Sequence, residues 1–309
     1  MSEKPKEKIQ RLLQFIEKNI TGEISLDILA NSSGLSKYHL DRIFRAITRK
    51  SLIDYVRNRK LSCSLYDLLN TDLRIIDIAS NYNFKYEQSY IRAFTRRFHI
   101  SPDRYRKEKP LIEITDKINL ASINSIGNDG MIVNPAITLK PRFAVIGIEQ
   151  KSYFEDNEKN YTLNKLGNDF YYNHSDKILN PKSHDTYLGL IRYVPGESQY
   201  CYYTACLEVL ALEEIPPGMT GEIIPTNKYA VFKYIGLHHP NQTNIAHLMD
   251  IKQFIYGNWL INSGYELSGL YHMESMNGVI ARDDYCEVDI YLPVQEKTQS
   301  IKHEGTRFI

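Results

Sequence analysis

One pattern constrains this chain more than any other. A short apolar helix, a tight turn and a second amphipathic helix are written twice within the first hundred residues. In the first copy Ser25 caps a short helix carrying Leu26, Ile28, Leu29 and Ala30, Gly34 breaks it, and Ser36 caps the next helix. Leu40, Ile43, Phe44 and Ile47 then recur at spacings of three and four, which gives that helix one buried face. In the second copy residues 72–80 supply the short helix, Asn81–Asn83 the turn and residues 85–98 the second helix, with Tyr90, Phe94 and Phe98 as its stripe. Residues 5–20 predict an amphipathic helix ahead of both copies, and a long helix from about Leu52 to Leu69 joins them. Ser101–Pro102 starts a final helical turn. Helix, short turn and capped helix together make a helix-turn-helix unit. The front of the chain is therefore expected to be all-α, with two exposed helices.

Charge separates this region from the rest. Residues 1–110 hold 22 Lys and Arg against 13 Asp and Glu, a net of +9, whereas residues 111–309 hold 16 against 24, a net of −8. A basic front joined to an acidic rear points to a polyanion partner for the front alone. The texture changes from Pro110. Residues 142–149, 200–208, 228–236 and 286–294 are rich in Val, Ile, Tyr and Phe and read as strands, with helices near 160–173 and 245–262. The order strand, helix, strands recurs over 135–210 and 220–295, which suggests an internal duplication.

Other classes fall away. No run of about 18 apolar residues is present and no signal peptide is read, so a cytoplasmic protein with no membrane partner is expected. The four cysteines, Cys63, Cys201, Cys206 and Cys286, form no CxxC pair, which argues against a zinc site or a redox motif. His238–His239 beside Pro240 reads as a turn, with no nearby ligand partner. Neither a metal nor a cofactor is expected.

Residues 29–44, LANSSGLSKYHLDRIF, and 78–105, IASNYNFKYEQSYIRAFTRRFHISPDRY, resemble the AraC/XylS family of transcription regulators. The resemblance spans residues 5–108 and includes the Pro-x-x-Tyr-Arg close. That family normally places this domain last. Having it first resembles the right-origin-binding subfamily, whose rear domain is GyrI-like. In the rear, KYAVFKYIG at 228–236, Trp259–Leu260 before NSGYEL and the closing DIYLPV are similar to GyrI-like domains. The expected fold is thus two domains, an all-α double helix-turn-helix domain followed by an α+β GyrI-like domain with duplicated halves. The boundaries are 1–108 for the DNA-binding domain, 109–134 for a linker, 135–297 for the effector domain and 298–309 for a polar tail.

A recognition helix presents three or four side chains to base edges in the major groove. With the apolar stripe inward, the first such helix leaves Tyr38, Asp41, Arg42 and Arg45 facing out. Arg42 is the best base reader, because a guanidinium grips both guanine acceptors, and the resemblance implies an arginine contact there. Asp41 either accepts from cytosine or pairs with Arg45 four residues on. In the second helix Glu87, Gln88, Ile91 and Arg92 face out, and Ile91 could meet a thymine methyl. Lys37, Lys85, Tyr86, Arg96 and Arg97 are expected on phosphates, which position without reading sequence. Double-stranded DNA bound by a monomer is the expected partner, with RNA polymerase a further one.

The resemblance implies a rear cleft lined with aromatics around a buried acid, suited to a small aromatic or cationic effector. The candidates are Tyr171, Tyr203, Tyr229, Trp259, Tyr271 and Tyr291, with Glu287 and Asp289 as acids. Asp289 stands four residues before the closing Pro293, where the family's acid usually lies, and Glu287 is the alternative. Some similar domains hydrolyse small strained ketones. No Ser-His-Asp or Cys-His arrangement is readable here, so a regulator rather than an enzyme is expected; a hydrolase and a protein-contact module are the alternatives.

Overall fold

The computed structural model describes residues 4–243 and 245–297, without the side chains of Asn241 and Ile245; the expected polar tail lies outside the described residues. Contacts divide the chain into two units, one up to Ile123 and one from Asn124.

The first unit is helical. Its elements are α1 (Pro5–Lys18), α2 (Leu26–Ser33), α3 (Lys37–Thr48), α4 (Leu52–Asn70), α5 (Ile75–Asn81), α6 (Glu87–Phe98) and α7 (Pro102–Glu108). The two copies end their helices alike. Gly34 after α2 and Asn83 after α5 are left-handed, as are Arg49 after α3 and His99 after α6. Glycine and asparagine tolerate that conformation best, which is why they punctuate the two turns. The hydroxyls of Ser25, Ser36, Ser51 and Ser101 accept from backbone N–H groups at the starts of α2, α3, α4 and α7. The short helix of the second copy begins at Ile75 rather than Asp72, and Arg74 at its cap binds Asp77.

Tyr90, Phe94, Phe98 and Tyr105 pack with Leu61, Leu65 and Leu68 of α4 into one core cluster. Two cations on α4 are buried among these helices. Lys60 donates to the carbonyls of Gly22, in the link between α1 and α2, and Tyr82, in the turn of the second copy, at 2.7 and 3.0 Å, so it ties the front of the unit to the second copy. Burial pushes its pKa down. Arg59 binds Glu17 on α1 through both carboxylate oxygens, at 2.9 and 2.7 Å.

The second unit is a highly connected sheet. Its strands are β1 (Ile123–Ile126), β2 (Gly130–Lys140), β3 (Phe143–Tyr153), β4 (Thr186–Tyr193), β5 (Tyr200–Val209), β6 (Thr220–Ile224), β7 (Asn227–Gly236), β8 (Tyr265–Leu267), β9 (Tyr271–Asn277) and β10 (Cys286–Glu296). They run β1-β2-β7-β10-β9-β4-β5-β3-β6, with β8 beside β10. Helices α8 (Phe154–Asn160) and α9 (Thr162–Asn173) follow β3. In the matching place after β7 comes α10 (Ile245–Lys252), which runs on through π-helical turns at Gln253–Trp259. The halves meet where β4 pairs with β9, in a register that sets Gly189 opposite Glu274.

Residues 109–134, expected as a linker, divide in two. The latter part enters the sheet as β1 and the start of β2. The former part is strapped to the helices: the Thr115 amide donates to Ser62, Arg59 donates to the Thr115 carbonyl, and Ile112 packs on the core cluster of Tyr90 and Phe94.

Candidate functional site

On the first unit α3 and α6 hold out polar side chains opposite their buried stripes. Lys37, Tyr38 and Arg45 are exposed on α3, as are Gln88, Arg92 and Arg96 on α6 and Lys85 and Tyr86 just before it. The Arg42 guanidinium rests over the Tyr38 ring at 4.7 Å, and the Lys85 ammonium lies 5.3 Å from the Tyr86 ring. Lys37 pairs with Asp27 on α2.

Ile91, Arg97 and Glu87 are placed otherwise than the sequence pattern leads one to expect, while Asp41 takes one of its two expected roles. Both oxygens of Asp41 are engaged, one by Arg45 at 2.7 Å and the other by the Leu52 amide at 3.0 Å. Asp41 therefore fastens the start of α4 and holds Arg45; of its two readings, the ion pair is the one seen. Ile91 is half-buried against the core cluster of Tyr90 and Phe94 rather than facing out. An apolar branched side chain gains more from that contact than from water. Arg97 donates to the Glu113 carbonyl and the Thr115 hydroxyl of the strap, so it is not held out toward a backbone. Glu87 is half-buried at the first position of α6.

On the second unit the helices cover one face of the sheet and enclose a cavity of about 90 Å³. Tyr187 of β4, Tyr234 of β7, Glu274 of β9, Ile290 of β10, Tyr256 of the π-helical turns and Asn168 of α9 are among its walls. Both halves therefore contribute. Glu274 sits at their seam, across from Gly189 on one side and Ile290 on the other. Its carboxylate is 3.5 Å from His272 Nε2, and His272 Nδ1 is 3.2 Å from the Tyr193 hydroxyl. Burial raises the Tyr193, Tyr187 and Tyr256 hydroxyls well above the usual phenol range, Tyr256 to about 12, and the nearby Glu274 carboxylate adds to each. These phenols stay protonated and can donate. The cavity thus offers one acid, one cation in Lys252, donors in Tyr187 and Tyr256, and apolar surface from Ile251, Ile255, Met276 and Val288.

The expected ligand residues lie elsewhere. Period two puts Cys286, Val288 and Ile290 of β10 on the cavity wall and turns Glu287, Asp289 and Tyr291 to the opposite face. There Lys233 of β7 binds Asp289 at 2.7 Å and Glu287 at 3.2 Å, and the Tyr285 hydroxyl donates to Glu287. Tyr229, Tyr271 and Tyr291 cluster on that face too, with the Tyr229 and Tyr271 hydroxyls 2.8 Å apart. On the cavity side Tyr203 is buried behind Tyr187, filling space that Gly167 and Gly189 leave open. Tyr171 packs on Tyr187 at 5.5 Å, and Trp259 packs edge-on against Phe232 at 5.1 Å. Each of these stands behind the wall rather than in it.

Comparison with known proteins bears on both units. A helix-turn-helix domain model matches residues 29–108, and a model described as a GyrI-like small molecule binding domain matches residues 134–295, just over half of the chain. The HTH-type transcriptional activator AarP of Providencia stuartii is 41% identical over 98 residues, which are 32% of this chain and 73% of AarP. Regulatory protein SoxS of Escherichia coli is 37% identical over 98 residues, 32% of this chain and 92% of SoxS. Transcriptional regulator Rob of Salmonella typhimurium is 38% identical over 99 residues, 32% of this chain and 34% of Rob. The chain belongs to the AraC/XylS family and carries a GyrI-like domain.

As an AraC/XylS regulator it binds DNA through the helical unit and a small molecule through the GyrI-like unit. No helix among the described residues is long and apolar enough to cross a membrane. What sequence reasoning missed in the GyrI-like domain is Glu274. It lies in YHMESMN, a stretch with no apolar run, so the strand itself went unread. Its one signal is the alternation His272, Glu274, Met276, which puts a single acid on a face of otherwise bulky neighbours.

Proposed function

We propose that this regulator reads DNA as a monomer and responds to a cationic aromatic effector held by Glu274. The reading of DNA rests on two exposed helices joined by one long α4, whose Lys60 bonds both the α1–α2 link and the turn of the second copy. One chain can then occupy adjacent major grooves, roughly 34 Å apart, on a site without a palindrome. Arg42 and Arg92 read bases; Lys37, Lys85, Tyr86 and Arg96 hold phosphates; Tyr38 and Gln88 flank the readers. RNA polymerase is the partner through which a bound monomer acts on transcription, and the cytoplasm is the compartment in which it does so.

The observation that carries the effector reading is Glu274 on a cavity wall with Tyr187 and Tyr256, at the seam of two half-domains. Glu274 is half-buried beside His272, and a cationic aromatic would supply both a counter-charge to it and attraction to the neighbouring ring faces. The relatives are named as transcription regulators, so binding rather than turnover is the role we assign to this arrangement. The test is a calorimetric titration of the full chain with benzyltrimethylammonium and with its neutral isostere neopentylbenzene. A preference for the cation of about tenfold or more, roughly 1.4 kcal/mol, is expected. Equal affinity for the two would contradict the assignment.

A further inference from the structure

At one end of the cavity, beyond Tyr234, three side chains from distant parts of the chain converge. Asp129 comes from the turn before β2, His238 from just past β7, and His247 from α10. Their donor atoms all lie within 4.8 Å of one another. His247 Nε2 stands 2.6 Å from Asp129 Oδ1, and the two imidazoles stack with centroids 4.9 Å apart. Sequence spacing offered His238 no partner; the fold supplies two.

The groups behind the histidines hold them as ligands would be held. His238 Nδ1 lies 2.8 Å from the His239 carbonyl, which can only accept, so in the neutral ring Nδ1 carries the proton. That leaves Nε2 with a bare lone pair, now met by the Tyr234 hydroxyl at 2.8 Å. A backbone carbonyl fixing the tautomer from behind is how metal-bound histidines are commonly oriented. The backbone also makes room. A Cβ on Gly236 would stand 2.5 Å from His238 Nε2, one on Gly127 2.9 Å from His247 Nε2, and one on Gly130 2.7 Å from the Tyr234 hydroxyl. Three glycines from separate segments thus clear the space around the two imidazoles and the Tyr234 hydroxyl beside them.

We infer that Asp129, His238 and His247 bind a divalent transition metal, Zn²⁺ in the first instance. Two imidazoles and one carboxylate are a donor set that suits zinc. Donors around tetrahedral zinc stand about 3.3 Å apart, given bonds of about 2.0–2.1 Å, so side-chain adjustments alone can bring the three into place. Loading moves the His247 proton off Nε2 and lets the Tyr234 hydroxyl turn away from His238. The histidines are buried while the Asp129 side chain is 44% exposed, which leaves a path for the ion from solvent. The fourth position then faces Tyr234, which also lines the cavity.

The test uses the tag-free full chain, stripped with a chelator and dialysed. Co²⁺ is titrated first, read by its visible absorption, and then displaced with Zn²⁺, with bound zinc measured by mass spectrometry. One zinc per chain is expected, with a rise in melting temperature. Asp129→Asn sits at the exposed edge and should keep the fold while weakening binding about 10- to 100-fold. His247→Gln should weaken it at least as much, and His174→Gln, on another part of the unit, should bind like the wild type. A wild-type chain that takes up no zinc at micromolar free metal overturns the inference. So does wild-type affinity in Asp129→Asn, even if His247→Gln does not fold.

Discussion

The two units of this regulator present their working groups in opposite ways. In the helical unit Arg92, Gln88 and Lys85 stand on the outside, with Arg42 half-buried beside Tyr38, and the fold's task is to hold their helices still. In the sheet unit Glu274 and the tyrosines face inward, and the fold's task is to keep a space between sheet and helix. A surface that meets a large polyanion can be rigid and fully solvated. A site that must capture a small molecule gains from desolvation, because charge pairing and ring contacts strengthen as water leaves. The core of the first unit is therefore a support, while that of the second is part of the site.

The largest test of this contrast truncates one buried ring in each unit. Phe94→Ala and Phe232→Ala should each cost about 3–5 kcal/mol of stability in chemical denaturation. Phe94→Ala should abolish DNA binding and spare the effector titration. Phe232→Ala, in the cluster under Trp259, should do the reverse. Loss of both functions from either change would break the contrast.

Base readers come next. Arg42→Ala and Arg92→Ala should each cost about 1–3 kcal/mol on the specific site and much less on random DNA, measured by competition binding. Equal losses on both would move these arginines to the backbone. Arg97→Ala should leave the ratio of specific to random binding unchanged, because its guanidinium is spent on Glu113 and Thr115. The smallest effect belongs to Lys37→Ala, which should weaken specific and random DNA alike. It should lower the salt slope of binding by about one and shift stability by less than about 1 kcal/mol, since its Asp27 pair is exposed.

The two units also differed in how far they could be read from sequence. A helix with one buried stripe leaves a definite outer face, so Leu40, Ile43 and Phe44 inward put Lys37, Tyr38 and Arg45 outward. Asp41 and Arg97 departed from that reading because their partners, the Leu52 amide and the strap at 113–115, are set by tertiary contacts. On β10 the alternation was legible but its sense was not. Both faces are substantially covered, one by helices and the other by Lys233, Tyr229 and their neighbours, so period two alone cannot say which acid meets a cavity. The pairing that creates the seam, Gly189 with Glu274, joins residues far apart in the chain and leaves no local trace. Asp129, His238 and His247 were hidden for the same reason.

The central claim is that the effector's counter-charge is Glu274, on the helix-covered face, and not Asp289 behind it. The most direct measurement compares Glu274→Gln with Asp289→Asn in the full chain, each titrated with benzyltrimethylammonium and neopentylbenzene and followed by calorimetry and by Trp259 emission. Glu274→Gln should lose the preference for the cation, at a cost of about 1.5–3 kcal/mol, and keep the neutral ligand. Asp289→Asn should retain the preference, because Glu287 still pairs Lys233 and neither acid faces the cavity. A cation preference that survives Glu274→Gln and vanishes with Asp289→Asn would contradict the account.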